Sequence, residues 1–102
     1  MNTFLRSDEF DGWLAGLKDG VGRARILSRI RAAEAGNFGD CQPVGEGVSE
    51  MRIHTGPGYR VYYMQHRSVV YLLLVGGDKS TQSRDIKRAI RLARTVKQEG
   101  LS

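Results

Sequence analysis

Several short stretches of the chain either alternate apolar and polar residues or are apolar throughout, as β-strands are. This pattern predicts three strands, over residues 48–54, 60–66 and 69–75. The third is apolar on both faces, so we expect it at the centre of the sheet and ended by Gly76-Gly77. Residues 36–47 contain four glycines and a proline, a composition that predicts an irregular connection.

The alternation also predicts how the first two of these strands pair. Pairing His54 with Arg60 and Arg52 with Tyr62 leaves residues 55–59 as a five-residue loop. The apolar residues of both strands then share one face, and they are Met51, Ile53, Val61 and Tyr63. The four paired residues are expected to form a single cationic and aromatic surface on the other face.

The N-terminal part of the chain is predicted to hold one short strand and two helices. Residues 3–6 favour a strand. Ser7 can cap a helix whose first turn is acidic. This helix is predicted to end at Lys18-Asp19-Gly20. A second helix is expected over residues 21–35, before Gly36 stops it. We expect the two helices to form a hairpin that packs across the sheet.

The C-terminal helix has the most regular pattern, and Ser80 or Thr81 is its predicted cap. Its buried stripe should consist of Ile86, Ala89, Ile90, Ala93 and Val96. Its other face is basic and carries Arg84, Lys87, Arg88, Arg91, Arg94 and Lys97. The order of elements predicts an α+β fold, with a small, twisted, mainly antiparallel sheet packed against the N-terminal helical hairpin.

Length and composition restrict the possible classes. The 102 residues suit a single domain over residues 1–102, and 40% hydrophobic residues are ordinary for a globular protein. Sixteen Lys and Arg against eleven Asp and Glu give a net charge of +5, which suits a polyanionic partner such as nucleic acid. No apolar run approaches the roughly 20 residues of a membrane span, and no signal peptide is evident.

The cysteine and histidine content adds two expectations. Cys41 is the only cysteine and cannot form an internal disulfide, so we expect a cytoplasmic protein. The two histidines and this cysteine show no metal-ligand spacing, so neither a metal nor another cofactor is expected.

Basic residues at the ends of the predicted strands are the candidate phosphate-handling groups, and they are Arg52, His54, Arg60 and Lys79. A guanidinium group stays charged and donates hydrogen bonds in a fixed fork that matches phosphate. An imidazole can transfer protons near neutral pH. The sequence therefore predicts a cationic site on the sheet.

Motifs along nearly the whole chain carry a family resemblance. They are Phe10-Asp11-Gly12-Trp13-Leu14, Gly36-Asn37-Phe38-Gly39-Asp40, the run 43–54, Gly56-Pro57-Gly58-Tyr59-Arg60-Val61-Tyr62-Tyr63 and Gly76-Gly77-Asp78-Lys79-Ser80-Thr81-Gln82. With these motifs the chain resembles the RelE/ParE toxin superfamily, and within it the HigB-like addiction module killer proteins.

The resemblance implies the toxin of a type II toxin–antitoxin system, a ribosome-dependent, metal-independent endoribonuclease that cleaves mRNA. It also implies a cognate antitoxin, of the helix-turn-helix, HigA-like kind, that silences the toxin. The positions matching the family's basic residues are Arg52, His54, Arg60 and Lys79, which the resemblance makes catalytic. Some RelE-like nucleases use a tyrosine early in the final segment, where this chain has Ser83-Arg84-Asp85-Ile86.

The implied chemistry agrees with these residue types. RNA is cut without a metal ion when its 2′-hydroxyl attacks the adjacent phosphate, provided that protons are transferred and the charged state is stabilised. Arg52 and Arg60 suit the charge stabilisation, and His54 suits the proton transfer. Tyr59 and Tyr62 could stack on unpaired bases. The expected RNA-binding residues on the C-terminal helix are Arg84, Arg88 and Arg91.

Two other functions remain open at this point. A ParE-like protein would share the fold but inhibit DNA gyrase and cleave nothing. A non-catalytic module would bind RNA or an antitoxin without being toxic. The cationic face of the sheet favours the nuclease, and the missing tyrosine keeps both alternatives open.

Overall fold

Five strands and three helices make up the computed structural model, which describes residues 1–99. In chain order they are β1 (Thr3–Arg6), α1 (Asp8–Gly16), α2 (Gly20–Glu34), β2 (Cys41–Gly45), β3 (Val48–Ile53), β4 (Tyr59–Arg67), β5 (Val70–Asp78) and α3 (Gln82–Gln98). A single 3-10 turn, Lys79–Thr81, connects β5 to α3. Residues 100–102 of the predicted domain lie outside the described part.

The strands form one mixed sheet in the order β1-β5-β4-β3-β2. Strand β1 runs parallel to β5, and the other three neighbouring pairs are antiparallel. This architecture confirms the α+β prediction with its C-terminal helix. The third predicted strand, now β5, is interior as expected, but the central position belongs to β4.

Both faces of the sheet are covered. On one face, α1 and α2 contribute Phe10, Leu14, Ile26, Ile30 and Ala33 to a core with Met51, Ile53, Val61, Tyr63 and Leu73. On the other face, α3 packs Ala89, Ala93 and Val96 against Val48, Tyr62, Met64, Leu74 and Val75. The face that was predicted to be cationic therefore lies largely under α3. The buried apolar stripe of this helix packs on the apolar residues of that face.

The connection predicted to be irregular contains an edge strand, β2, and this prediction was wrong. Strand β2 pairs with β3 through a two-residue turn, Glu46-Gly47, in which both residues have positive φ, 51° and 82°. Such turns twist in the sense that a hairpin needs, but their first position usually holds Asn, Asp or Gly. The glutamate at this position concealed the turn, and Pro43 is compatible with an edge strand.

Strands β3 and β4 pair two residues away from the predicted register. Arg52 lies opposite Arg60, and Glu50 opposite Tyr62, so the predicted faces are kept although the partners change. The shift arises because β3 ends at Ile53, opposite Tyr59, and His54 belongs to the connecting loop. Backbone hydrogen bonds from Thr55 to Ile53 and from Gly58 to Thr55 tighten this loop.

Gly76-Gly77 does not end β5, contrary to prediction, because the strand continues to Asp78. A Cβ atom on Gly76 would lie 2.1 Å from the Trp13 ring of α1, and one on Gly77 would lie 1.9 Å from Asp85 Oδ2 of α3. The two glycines thus let α1 and α3 approach the strand from opposite faces.

Helix caps explain where the helices begin. The Ser7 side chain accepts a hydrogen bond from the Phe10 amide, as predicted, and Asp19 caps α2 in the same way. Before α3, Asp78 accepts from the Ser80 amide at 2.8 Å. Thr81 instead donates its hydroxyl to Asp85, so the expected Ser80 or Thr81 side-chain cap is not formed.

Within residues 1–99, no helix combines the length and the apolar character needed to cross a membrane.

Candidate functional site

A cleft of about 350 Å³ opens where the β3–β4 loop meets the turn after β5. Its lining consists of residues 54–58 of that loop together with Arg60 and Lys79. The structure therefore brings three of the four predicted catalytic residues, His54, Arg60 and Lys79, to one place. We call this feature the Arg60 cleft.

Arg60 has a largely buried side chain, of which 10% is exposed. Among residues 1–99 its Nε atom finds no hydrogen-bond partner, and Nη1 lies a long 3.4 Å from the carbonyl oxygen of Tyr59. The Nε atom is enclosed and faces Glu50, whereas within residues 1–99 the terminal nitrogens form only this long hydrogen bond, so they are the N–H groups that can meet an anion in the cleft. A Cβ on Gly58 would lie 3.7 Å from Nη1, so no side chain separates this nitrogen from the loop.

His54 lies at the cleft rim with 70% of its side chain exposed. Its Nε2 atom is 2.6 Å from Oδ2 of Asp40, a residue that immediately precedes β2. The hydrogen bond that Asp40 accepts from His54 is the main reason that the pKa of Asp40 is lowered. The contact restrains the imidazole ring, and Nδ1 is the ring nitrogen that does not contact Asp40. Sequence reasoning missed Asp40, because fourteen residues separate it from His54.

Lys79 is exposed and begins the 3-10 turn on the opposite side of the cleft. A Cβ on Gly58 would lie 3.5 Å from Lys79 Cβ, which shows how closely the loop and the turn approach each other. Within residues 1–99 the Lys79 ammonium group forms no ion pair. Its charge is therefore available to a ligand.

Arg52, the fourth predicted catalytic residue, does not line the cleft. Its Nε donates to Glu50 Oε1 at 3.0 Å, and its Nη2 donates to Gln42 at 2.5 Å. The hydrogen bond that Arg52 donates to Glu50 is the largest cause of the raised pKa of Arg52. The predicted catalytic group is thus divided, with Arg52 tied to a buried carboxylate that does not line the cleft.

Glu50 was not predicted, yet it joins most of the polar groups of this region. Its side chain is fully buried and accepts hydrogen bonds from the Tyr62 hydroxyl at 3.0 Å and from Gln82 at 2.7 Å. Arg60 Nε also lies 3.8 Å from Oε1. Its place on the same strand face as Arg52 was the sequence signal that could have identified Glu50. The contact with Gln82 could not be predicted in this way, because it depends on the position of α3.

The predicted stacking residues, Tyr59 and Tyr62, are both buried. Tyr62 lies under α3, where burial, more than any other effect, raises the pKa of its hydroxyl. Tyr59 faces the helical hairpin, packs edge-on against Trp13, and donates to Asp19 at 2.8 Å, a bond that raises its pKa. Neither ring offers a free face, so the expected stacking of bases on them has no support in the structure.

The basic face of α3 borders a second, larger groove of about 600 Å³. Its lining is Ser80, Thr81, Ser83, Arg84, Lys87, Arg88 and Arg91, and it begins next to Lys79 in the chain. Arg84 lies 3.7 Å from Asp85, and Arg88 lies 2.7 Å from Glu9 of α1. Within the described residues, Lys87 and Arg91 form no ion pair, so they are the free cations of this α3 groove.

No cluster of three or more His, Cys, Asp or Glu side chains within residues 1–99 is arranged to hold a metal ion.

Comparison with known proteins shows a relative of this chain but no activity. No family model matches the chain. The chain is similar to a protein of Haemophilus influenzae, with 49% identity over 87 residues that cover 85% of this chain and 88% of the relative. The chain belongs to the family of that protein. The relative is described only as an uncharacterized protein, so the family assigns no activity to the Arg60 cleft.

Proposed function

We propose that this protein is a HigB-like toxin of the RelE/ParE superfamily, a ribosome-dependent, metal-independent endoribonuclease that cleaves mRNA. The observation that carries the proposal is the Arg60 cleft. It combines a largely buried guanidinium whose terminal nitrogens form only one long hydrogen bond within the described residues, an exposed lysine and a restrained histidine. The motifs that resemble the killer proteins supply the three basic residues of this cleft, His54, Arg60 and Lys79.

The three basic residues of the cleft each have a role in the proposed reaction. Arg60 and Lys79 bind the phosphate that is attacked and stabilise its additional negative charge. His54 takes the proton of the 2′-hydroxyl through Nδ1, the nitrogen that Asp40 does not contact. As the 2′-oxygen bonds to phosphorus, the bond from phosphorus to the 5′-oxygen breaks, and the departing 5′-oxygen takes a proton from water. Asp40 acts through His54, since it holds the ring by the opposite nitrogen. Arg52 takes no direct part, because it does not line the cleft and donates its hydrogen bonds to Glu50 and Gln42.

The RNA would continue from the cleft into the α3 groove. Lys79 and Ser80 are neighbours in the chain, and they line the cleft and the groove respectively. A single strand that leaves the Arg60 cleft therefore meets Arg84, Arg88 and Arg91, the predicted RNA-binding residues of α3. The proposal places the protein in the cytoplasm, at the ribosome, with a HigA-like helix-turn-helix antitoxin as the partner that silences it.

Induction of the protein without an antitoxin, followed by mapping of transcript 5′ ends, tests the proposal. We expect translation to stop and new cuts to appear within translated messages. Arg60→Ala should remove the cuts, while Arg67→Ala should leave them, because Arg67 is an exposed arginine at the other end of β4.

Two results would reject the nuclease proposal. Growth arrest with intact messages and gyrase-linked DNA damage would indicate a ParE-like inhibitor. A folded, ribosome-binding or antitoxin-binding protein that causes neither arrest nor cuts would indicate a non-catalytic module.

A further inference from the structure

Glu50 is a carboxylate with no exposed surface, at the place where β3, β4 and α3 meet. Its Oε2 accepts hydrogen bonds from two neutral donors, the Tyr62 hydroxyl at 3.0 Å and the Gln82 amide at 2.7 Å. Removing a carboxylate from water is costly unless its oxygens are satisfied. The two donors satisfy Oε2 and hold the carboxylate in one orientation.

The other oxygen, Oε1, faces two arginines. Arg52 Nε donates to it at 3.0 Å, while Arg60 Nε lies 3.8 Å away, which is an ion-pair distance and too long for a hydrogen bond. Within residues 1–99, Arg60 forms no other ion pair. Glu50 is therefore the anion that restrains this guanidinium.

We propose that Glu50 is a positioning residue for Arg60, and that it holds the Nε edge of the guanidinium so that the terminal nitrogens face the cleft. The inference rests on the proposed function, because it takes Arg60 as the group that binds the reacting phosphate. Glu50 is fully buried and does not line the cleft, so it acts through Arg60 and does not touch the RNA.

A second effect of Glu50 acts in the opposite direction. Its negative charge lowers the positive potential of the cleft, which opposes phosphate binding. If this charge effect were dominant, removing the charge would strengthen anion binding and would not slow the reaction. If position is dominant, removing the charge slows the reaction without weakening binding. Separate values of kcat and KM therefore distinguish the two.

Glu50→Gln is the variant that tests the proposal, because it removes the charge and almost preserves the shape. On translating ribosomes we expect kcat to fall on the order of 100-fold, the usual effect of a small misplacement of a reacting group, while KM stays the same or falls. In the free protein, ¹⁵N relaxation of the Arg60 Nε–H group should show lost order. Glu34→Gln is the matched control, because within the described residues the Glu34 side chain makes neither a hydrogen bond nor an ion pair.

Unchanged order at Arg60 Nε in folded Glu50→Gln would overturn the positioning role. So would a raised kcat together with tighter binding of inorganic phosphate. If Glu50→Gln does not fold, Glu50→Asp keeps the charge but withdraws the carboxylate by one methylene, and the same loss of order and kcat is expected. A wild-type protein that cuts no RNA rejects the proposed function alone, since the relaxation experiment still decides whether Glu50 positions Arg60.

Discussion

Arg52 and Arg60 lie directly opposite each other on β3 and β4, and both turn their Nε atoms toward the same oxygen of Glu50. Two like charges opposite each other in a sheet would normally be unfavourable. The buried carboxylate between them removes this conflict. The two arginines nevertheless differ, because Arg60 lines the cleft and Arg52 does not.

This difference predicts unequal effects of alanine substitution on cleavage. Arg60→Ala should cost about 3 kcal/mol or more in the activation barrier, as the loss of a preorganised charge does. Arg52→Ala should reduce the rate only about tenfold, because it acts through Glu50 and Arg60. Single-turnover cleavage on programmed ribosomes measures both, and equal losses would contradict the division of the predicted catalytic group.

Arg60→Ala should also affect stability, since Arg60 is buried. Glu50 keeps Arg52, Tyr62 and Gln82 as partners, so the expected cost is about 1–3 kcal/mol and the protein should still fold. Urea unfolding of Arg60→Ala beside the exposed control Arg67→Ala gives the difference. A stability equal to that of the control would mean that Glu50 does not depend on Arg60.

The glycines of β5 give a test of packing that is independent of function. Gly77→Ala should destabilise the fold by about 1–3 kcal/mol, because its Cβ would overlap Asp85 of α3. Gly12→Ala, in α1 with open space around it, should instead stabilise by about 0.5–1 kcal/mol. Thermal unfolding of the two variants checks this, and a neutral Gly77→Ala would show that α3 does not pack as closely as described.

Much of this arrangement could be read from the sequence. The exceptions depend on strand ends and turns, which the alternation of apolar and polar residues does not determine. Alternation alone placed Met51 and Ile53 on the face that packs against the hairpin, since side-chain direction is a local property of a strand. The pairing register was wrong because it depends on where β3 ends. Edge strand β2 was missed because its turn uses Glu46, an unusual residue at positive φ.

The proximity of the candidate site residues also followed only in part from the sequence. His54, Arg60 and Lys79 were identified from motifs, and the structure brings them together. Glu50 and Asp40 were missed because their partners come from α3 and from a loop far along the chain. Burial of Tyr59 and Tyr62 likewise depends on the helices that cover the two faces, which local patterns do not determine.

Asp40 gives a prediction about pH. The folded state favours its charged form more than the unfolded state does, so its contribution to stability is present above pH 3.8 and is lost as the pH falls through the lowered folded value. The hydrogen bond from His54 is the main cause, so His54→Ala should move the pKa of Asp40 back toward 3.8. An NMR titration of the carboxyl carbons measures this shift.

Asp19 is the internal control for that titration. Its pKa is also lowered, but chiefly by hydrogen bonds from Gly22 and Tyr59, so His54→Ala should leave it unchanged. If Asp40 titrates identically with and without His54, the two side chains do not interact in solution, and the restraint on the imidazole is lost from the proposed mechanism.

The free cations of the α3 groove give the last prediction, which concerns partners. Lys87→Glu and Arg91→Glu break no ion pair, so we expect folded proteins with weaker, more salt-sensitive ribosome association. Arg88→Glu faces Glu9 with a like charge and should in addition loosen the contact between α1 and α3.

Cosedimentation with ribosomes and binding to the antitoxin are measured for each variant at several salt concentrations. Reduced ribosome association with retained antitoxin binding assigns the groove to RNA, whereas the opposite result assigns it to the antitoxin. If neither association changes, the basic face of α3 is only solvated, and the path proposed for the RNA is wrong.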